Sequence, residues 1–91
     1  SQTVPKGGEE YMRDQIGKVV HYYDKIGVAV VKLDKKLSVG DKVGLAYGED
    51  SYEQTIESMQ LDHSPIQSGK KGDEVAIKVD QKAKKGTLVL K

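Results

Sequence analysis

His21 and His63 are the only imidazoles in the chain, and histidine is the side chain most easily set to move a proton near neutral pH. Neither has a second histidine at HxH or HxxxH spacing, so a zinc site would have to be assembled from distant carboxylates. Asp62-His63-Ser64 holds the three residue types of a hydrolytic triad. Adjacent strand residues point to opposite faces, however, so these three cannot form a relay among themselves. The carboxylate pairs Glu9-Glu10 and Glu49-Asp50 fall in a presumed tail and a presumed turn, where solvated charge is the default. There is no G-x-G-x-x-G and no glycine loop ending in Gly-Lys-Ser/Thr. With no nucleophile–base constellation, the expectation is a protein that is not an enzyme, with no catalytic residue, no metal and no cofactor.

The remaining chemistry lies in the lysines. Fourteen Lys stand beside a single arginine, Arg13, and the net charge is only +1, so no global field draws in nucleic acid. Arginine is the residue that reads guanine edges, and its scarcity argues against sequence-specific DNA recognition. If the strands run up and down in order, the loops entering the third and fifth share one end. That gathers Lys35, Lys36, Lys70 and Lys71 on one rim and leaves Lys82, Lys84 and Lys85 at the other. Such a rim could contact a phosphate backbone without reading sequence. The interspersed Asp and Glu favour the plainer alternative of solvated loops.

The positioning elements follow from apolar patterning. Ninety-one residues make one domain with a small core of Val, Ile, Leu and Tyr, since Phe and Trp are absent. The four-residue run Val28 to Val31 is the longest apolar stretch, too short to span a bilayer. No secretory signal is evident, and zero cysteines fit a reducing cytosol, so a cytoplasmic protein without membrane partners is expected. Residues 1–14 read as a flexible tail and 15–91 as the folded domain. Strands are expected at 16–23, 27–33, 41–47, 52–63, 73–79 and 87–90, the fourth with a β-bulge at Glu57-Ser58 where its apolar parity switches. Alternation puts Val19, Ala29, Val31, Leu33, Val43, Leu45, Ile56, Met59, Leu61, Val75, Ile77 and Val79 inside. Six strands without helix predict an all-β, small, closed, antiparallel Greek-key barrel. KKLSVGDKV, KKGDEVAI and KKGTLVL each set a lysine pair before a strand-opening Gly, which reads as one turn used three times. Gly40 and Gly72 should then need a positive φ.

Taken together, residues 16 to 91 resemble the second-domain β-barrel of translational GTPases of the elongation factor Tu type. The segments that carry the likeness are Leu37, Val39, Gly40, Asp41 and Val43; Thr55 to Gln60; Ser68 to Val79; and Lys85 to Val89. Thr87 stands where that family usually has Asp, and the GTPase domain is absent. The C-terminal barrel of collagenase-like peptidases is similar as well. The first resemblance implies a stand-alone, non-catalytic elongation factor-like module that contacts RNA or a ribosome- or tRNA-linked partner; the candidate RNA-binding residues remain Lys35, Lys36, Lys70 and Lys71, read from strand order and not from the family. The alternatives are a protein–protein adaptor that uses the barrel face with no nucleic acid, or an accessory domain for a separately encoded enzyme such as a collagenase-like peptidase.

Overall fold

A computed structural model describes residues 14–91; residues 1–13, nearly all of the expected tail, lie outside the described residues. Ten strands follow one another: β1 (Gln15–Tyr23), β2 (Val28–Leu33), β3 (Leu37–Ser38), β4 (Lys42–Tyr47), β5 (Asp50–Thr55), β6 (Met59–Leu61), β7 (Ser64–Pro65), β8 (Ser68–Gly69), β9 (Glu74–Lys78) and β10 (Leu88–Leu90). Every pairing is antiparallel, and there is no helix among the described residues. Eight strands form one sheet in the order β5-β4-β10-β1-β2-β9-β6-β7, and β3 pairs separately with β8.

This corrects the expected six-stranded closed barrel. The edge strands β5 and β7 do not pair with each other, so the sheet order is open. The expected fourth strand, 52–63, is two strands at opposite sides of that order: β5 pairs with β4, and β6 pairs with β9 and β7. The cause lies at Ile56. Its N–H donates to Asp41 O at 2.8 Å, and its carbonyl accepts from Gly40 N at 2.8 Å, so the turn at Gly40-Asp41 holds it rather than a neighbouring strand. Its side chain is fully buried. Residues 56–58 are therefore a break that carries the chain across, not a bulge within one strand.

A side chain does at this junction what a backbone ladder does elsewhere. Gln54 is buried, and its amide nitrogen donates to Lys78 O at 2.9 Å while its oxygen accepts from Asp80 N at 2.8 Å. It thus ties edge strand β5 to the end of β9 and satisfies two backbone groups that no strand reaches. Tyr52, two residues earlier on the same face, donates its hydroxyl to Gln81 O at 2.8 Å, and burial pushes its pKa up.

The bulges sit in β1 instead. The pairing with β2 steps from Val19↔Val31 to His21↔Val30, leaving Val20 as the extra residue, and a second shift occurs between Gln15 and Gly17 against β10. A bulge reverses facing along a strand. Gly17 and Val19 face the core before Val20, and after it Tyr22 faces in while His21 and Tyr23 face out.

The core holds eleven of the twelve expected residues, with Leu61 only partly buried, and adds Ile16, Leu37, Ala83 and Val89. The three echoed segments are three like turns. Asp41 N donates to Ser38 O and Asp73 N to Lys70 O, while the two carboxylates accept from Ser38 N and Lys70 N. Gly40 and Gly72 have φ of 97° and 93°, as the turns require. In the third turn Thr87 N donates to Lys84 O, and the Thr87 hydroxyl donates to the same carbonyl at 2.7 Å. A hydroxyl thus stands where the other two turns use a carboxylate.

Candidate functional site

Of the four lysines singled out by sequence, the structure sets Lys36 and Lys70 opposite each other, by a route other than up-and-down connectivity. β3 and β8 pair as Leu37↔Gly69 and Ser38↔Ser68, which places Lys36 and Lys70 across from each other just beyond the pair. Both line a depression of about 420 Å³ together with Leu61 and Asp73. Lys71 follows in the turn, exposed. Lys35 points elsewhere and pairs with Asp14 at 3.3 Å. Nearby, Lys91 donates to Asp41 Oδ2 at 2.9 Å, and this bond, with help from Ser38 N–H, holds the Asp41 carboxyl below the usual carboxylate range against the opposing effect of burial. The second lysine group is separate: Lys84 lies over the Tyr47 ring, 4.7 Å from its centre.

The histidines do not converge. His21 stacks on Tyr23, with ring centres 4.3 Å apart and planes tilted by 55°. His63 lies in the two-residue turn between β6 and β7, where Asp62 and His63 both have positive φ, 53° and 67°. Two left-handed residues make a type I′ hairpin turn, a conformation usually left to Asn and Gly. Asp62, His63 and Ser64 therefore sit around a hairpin tip, exposed, rather than as a relay. Among the described residues no three His, Asp or Glu side chains gather as a metal set.

A second surface emerges on the outer face of the sheet. Because the Val20 bulge turns His21 and Tyr23 outward, they meet the outward residues of the next strands in cross-strand rows. One row runs His21, Val30, Ala76 and Gln60, and a parallel one runs Tyr23, Val28 and Lys78. Elsewhere the outer face carries Lys18, Lys32, Glu53 and similar residues, so an apolar stretch here stands out. Tyr23 and Ile26 are 47% and 66% exposed, and with Val28 and Val30 they wall a groove of about 490 Å³. Its other end is formed by Asp62, His63 and Glu74. Sequence reasoning passed over this groove, although the signal was present. The 27–33 run is apolar at both parities, and only one parity is needed for the core.

With this geometry established, three comparisons bear on the chain. No family model matches it. An uncharacterized protease of Methanocaldococcus jannaschii is 33% identical over 82 residues, 88% of this chain. The chain spans only 20% of that relative's length. Among solved structures, the fold is similar to the C-terminal domain of a "putative U32 peptidase" of Geobacillus thermoleovorans. Its selenomethionine variant superposes with a TM-score of 0.81 at 21% identity, covering 86% of this chain and 99% of that one. A second crystal structure of the same domain gives 0.79 at 20% identity, covering 84% and 89%. These findings correct the elongation factor-like and RNA-binding readings. The similar proteins are an uncharacterized protease and the C-terminal domain of a putative U32 peptidase, not a translation factor or an RNA-binding protein. The segments quoted for the translational GTPases are largely strand-opening turns built on Gly40, Gly72 and Gly86, which a β-fold can use whatever its role.

Proposed function

We propose that this chain is a non-catalytic accessory domain that works with a collagenase-like peptidase of the U32 type. The observation that carries the proposal is the match to a whole C-terminal domain of a putative U32 peptidase: nearly the full length of the Geobacillus domain superposes on this chain. The 33% identical stretch of the uncharacterized Methanocaldococcus protease supports it from sequence. The chemistry agrees, since Asp62, His63 and Ser64 are spread around a hairpin tip and His21 is occupied with Tyr23. An accessory domain acts by binding and orientation, for which a rigid sheet with exposed apolar and lysine-bearing surfaces is suited.

The test is capture from the native source. The tagged chain is recovered from cells in which it occurs naturally, with and without nuclease, and its companions are identified by mass spectrometry. A U32-type peptidase unit, whether on the same polypeptide or a separate one, is the expected companion and survives nuclease. Recovery of ribosomal proteins or tRNA-linked factors that vanish with nuclease would overturn the proposal.

A further inference from the structure

The groove on the outer face of β1, β2, β9 and β6 has the character of a recognition site. Soluble domains rarely leave neighbouring large apolar side chains in water, and where they do the patch usually meets a partner. Here Tyr23 and Ile26 are exposed beside Val28 and Val30, in a chain with 32% charged residues. The volume, about 490 Å³, lies within the roughly 300–1,000 Å³ typical of ligand sites. The polar end is distinct. Asp62 and Glu74 both line it, and neither carboxylate makes an ion pair or hydrogen bond among the described residues, although Glu74 lies directly across from Lys32. The left-handed backbone at Asp62 and His63 costs free energy that a Gly would avoid, yet it keeps a carboxylate at the groove's end.

We infer that this groove binds an extended peptide, with aliphatic side chains against Tyr23, Ile26, Val28 and Val30 and a Lys or Arg side chain at Asp62 and Glu74. The two carboxylates select the charge. They are the only Asp, Glu, Lys or Arg side chains in the groove's lining, with Lys32 and Lys78 flanking it, so within the groove they attract a basic side chain and repel phosphates, which argues against nucleic acid or an anionic lipid here. A long aliphatic stem on Lys or Arg also suits a groove that passes from apolar to acidic. The site stands on the groove alone and holds whether or not a peptidase unit is the chain's companion.

The probe is an acetylated, amidated nine-residue peptide with two Leu flanking a central Lys, titrated into the full 91-residue chain labelled with ¹⁵N. Amide shifts should move along residues 23–30, 60–63 and 74–76. Replacing the peptide's Lys by Glu should weaken binding, and so should Asp62→Asn with Glu74→Gln, by roughly three- to tenfold for two exposed charge contacts. Ile26→Ser, at a position already in solvent and so without consequence for folding, should weaken it by about tenfold. A thermal melt and an unperturbed spectrum confirm that each variant is folded. The inference is overturned by an absence of shifts at millimolar peptide, by equal binding of the Lys and Glu peptides, or by shifts confined to Lys36 and Lys70. Concentration-dependent self-association that buries the same residues without peptide would overturn it in favour of a second copy of the chain.

Discussion

Gln54 offers the sharpest test of how this fold is held. Its amide joins β5, at one edge of the sheet, to the backbone at Lys78 and Asp80, and it is only 5% exposed. Gln54→Leu keeps most of the volume and removes both of these hydrogen bonds, along with a longer one of 3.5 Å to Thr55 O. Each bond contributes about 1 kcal/mol net, and a buried backbone group left without a partner costs about 1–3 kcal/mol. Because Lys78 O and Asp80 N lie at a part-buried junction that water can reach in part, the combined loss should be about 2–4 kcal/mol. For a domain of this size each kcal/mol lowers Tm by roughly 4–8 °C, so a fall of roughly 10–25 °C is expected. Urea denaturation gives the free energy, and hydrogen exchange at the Asp80 amide should quicken locally. Gln54→Glu keeps the acceptor for Asp80 but sets a carboxylate against Lys78 O. Its deficit should shrink as pH falls and the protonated carboxyl becomes a donor. A Gln54→Leu midpoint equal to the parent's, with unchanged exchange at Asp80, would refute the idea that this side chain takes the place of a strand pairing.

Other outcomes follow from the same structure. Ile77→Ala, at a fully buried position, should cost about 2–5 kcal/mol in urea, and an unchanged midpoint would mean the inward face is misassigned. Gly69→Ala would put a Cβ 2.8 Å from Leu33 Cδ1 and 2.9 Å from Val75 Cγ1, so it should destabilise by about 1–3 kcal/mol through overpacking. Gly72→Ala has open space but a φ of 93°, so its cost of about 1–2 kcal/mol should come from backbone strain and should be relieved by Asn more than by Val. Asp41 has a lowered folded-state pKa, so it contributes stability above the usual carboxylate value that is lost as pH falls through the lower folded value. Lys91→Met removes the largest cause of that lowering. An acid titration of the variant should show a higher Asp41 pKa and a shallower loss of stability than the parent.

The strands were legible because β-branched alternation records burial directly: Ala29, Val31 and Leu33 or Val75 and Ile77 leave one face inside whatever the topology. The turns at Gly40 and Gly72 were legible for a similar reason, since a Gly-Asp corner encodes its own backbone geometry. The break at residues 56–58 was visible only as a parity switch. A bulge and a crossing between sheet edges produce the same pattern along the chain, and only the contacts of Ile56 with Gly40 and Asp41 distinguish them. Gln54 was not singled out because nothing local marks a side chain that substitutes for a strand. Leu37 and Ala83 were missed because they enter the core from connections too short to show a period. Of the surfaces, the meeting of Lys36 and Lys70 was expected, although the β3–β8 pair brings it about rather than strand order. The apolar groove was legible only in part: Val28 and Val30 mark its β2 wall, but the Val20 bulge, which turns Tyr23 outward, leaves no mark in the pattern.

The central claim, an accessory role beside a peptidase, is tested most directly by exchange. In the Methanocaldococcus protease the matching 82-residue stretch is replaced by this chain, and hydrolysis of a fluorogenic peptide panel and of gelatin is compared with the intact enzyme, with a deletion of the stretch and with this chain alone. The account predicts that the deletion loses activity, that the exchanged protein regains a substantial part of it, and that this chain alone cleaves nothing. Hydrolysis by the isolated chain, or a deletion as active as the intact protease, would contradict it.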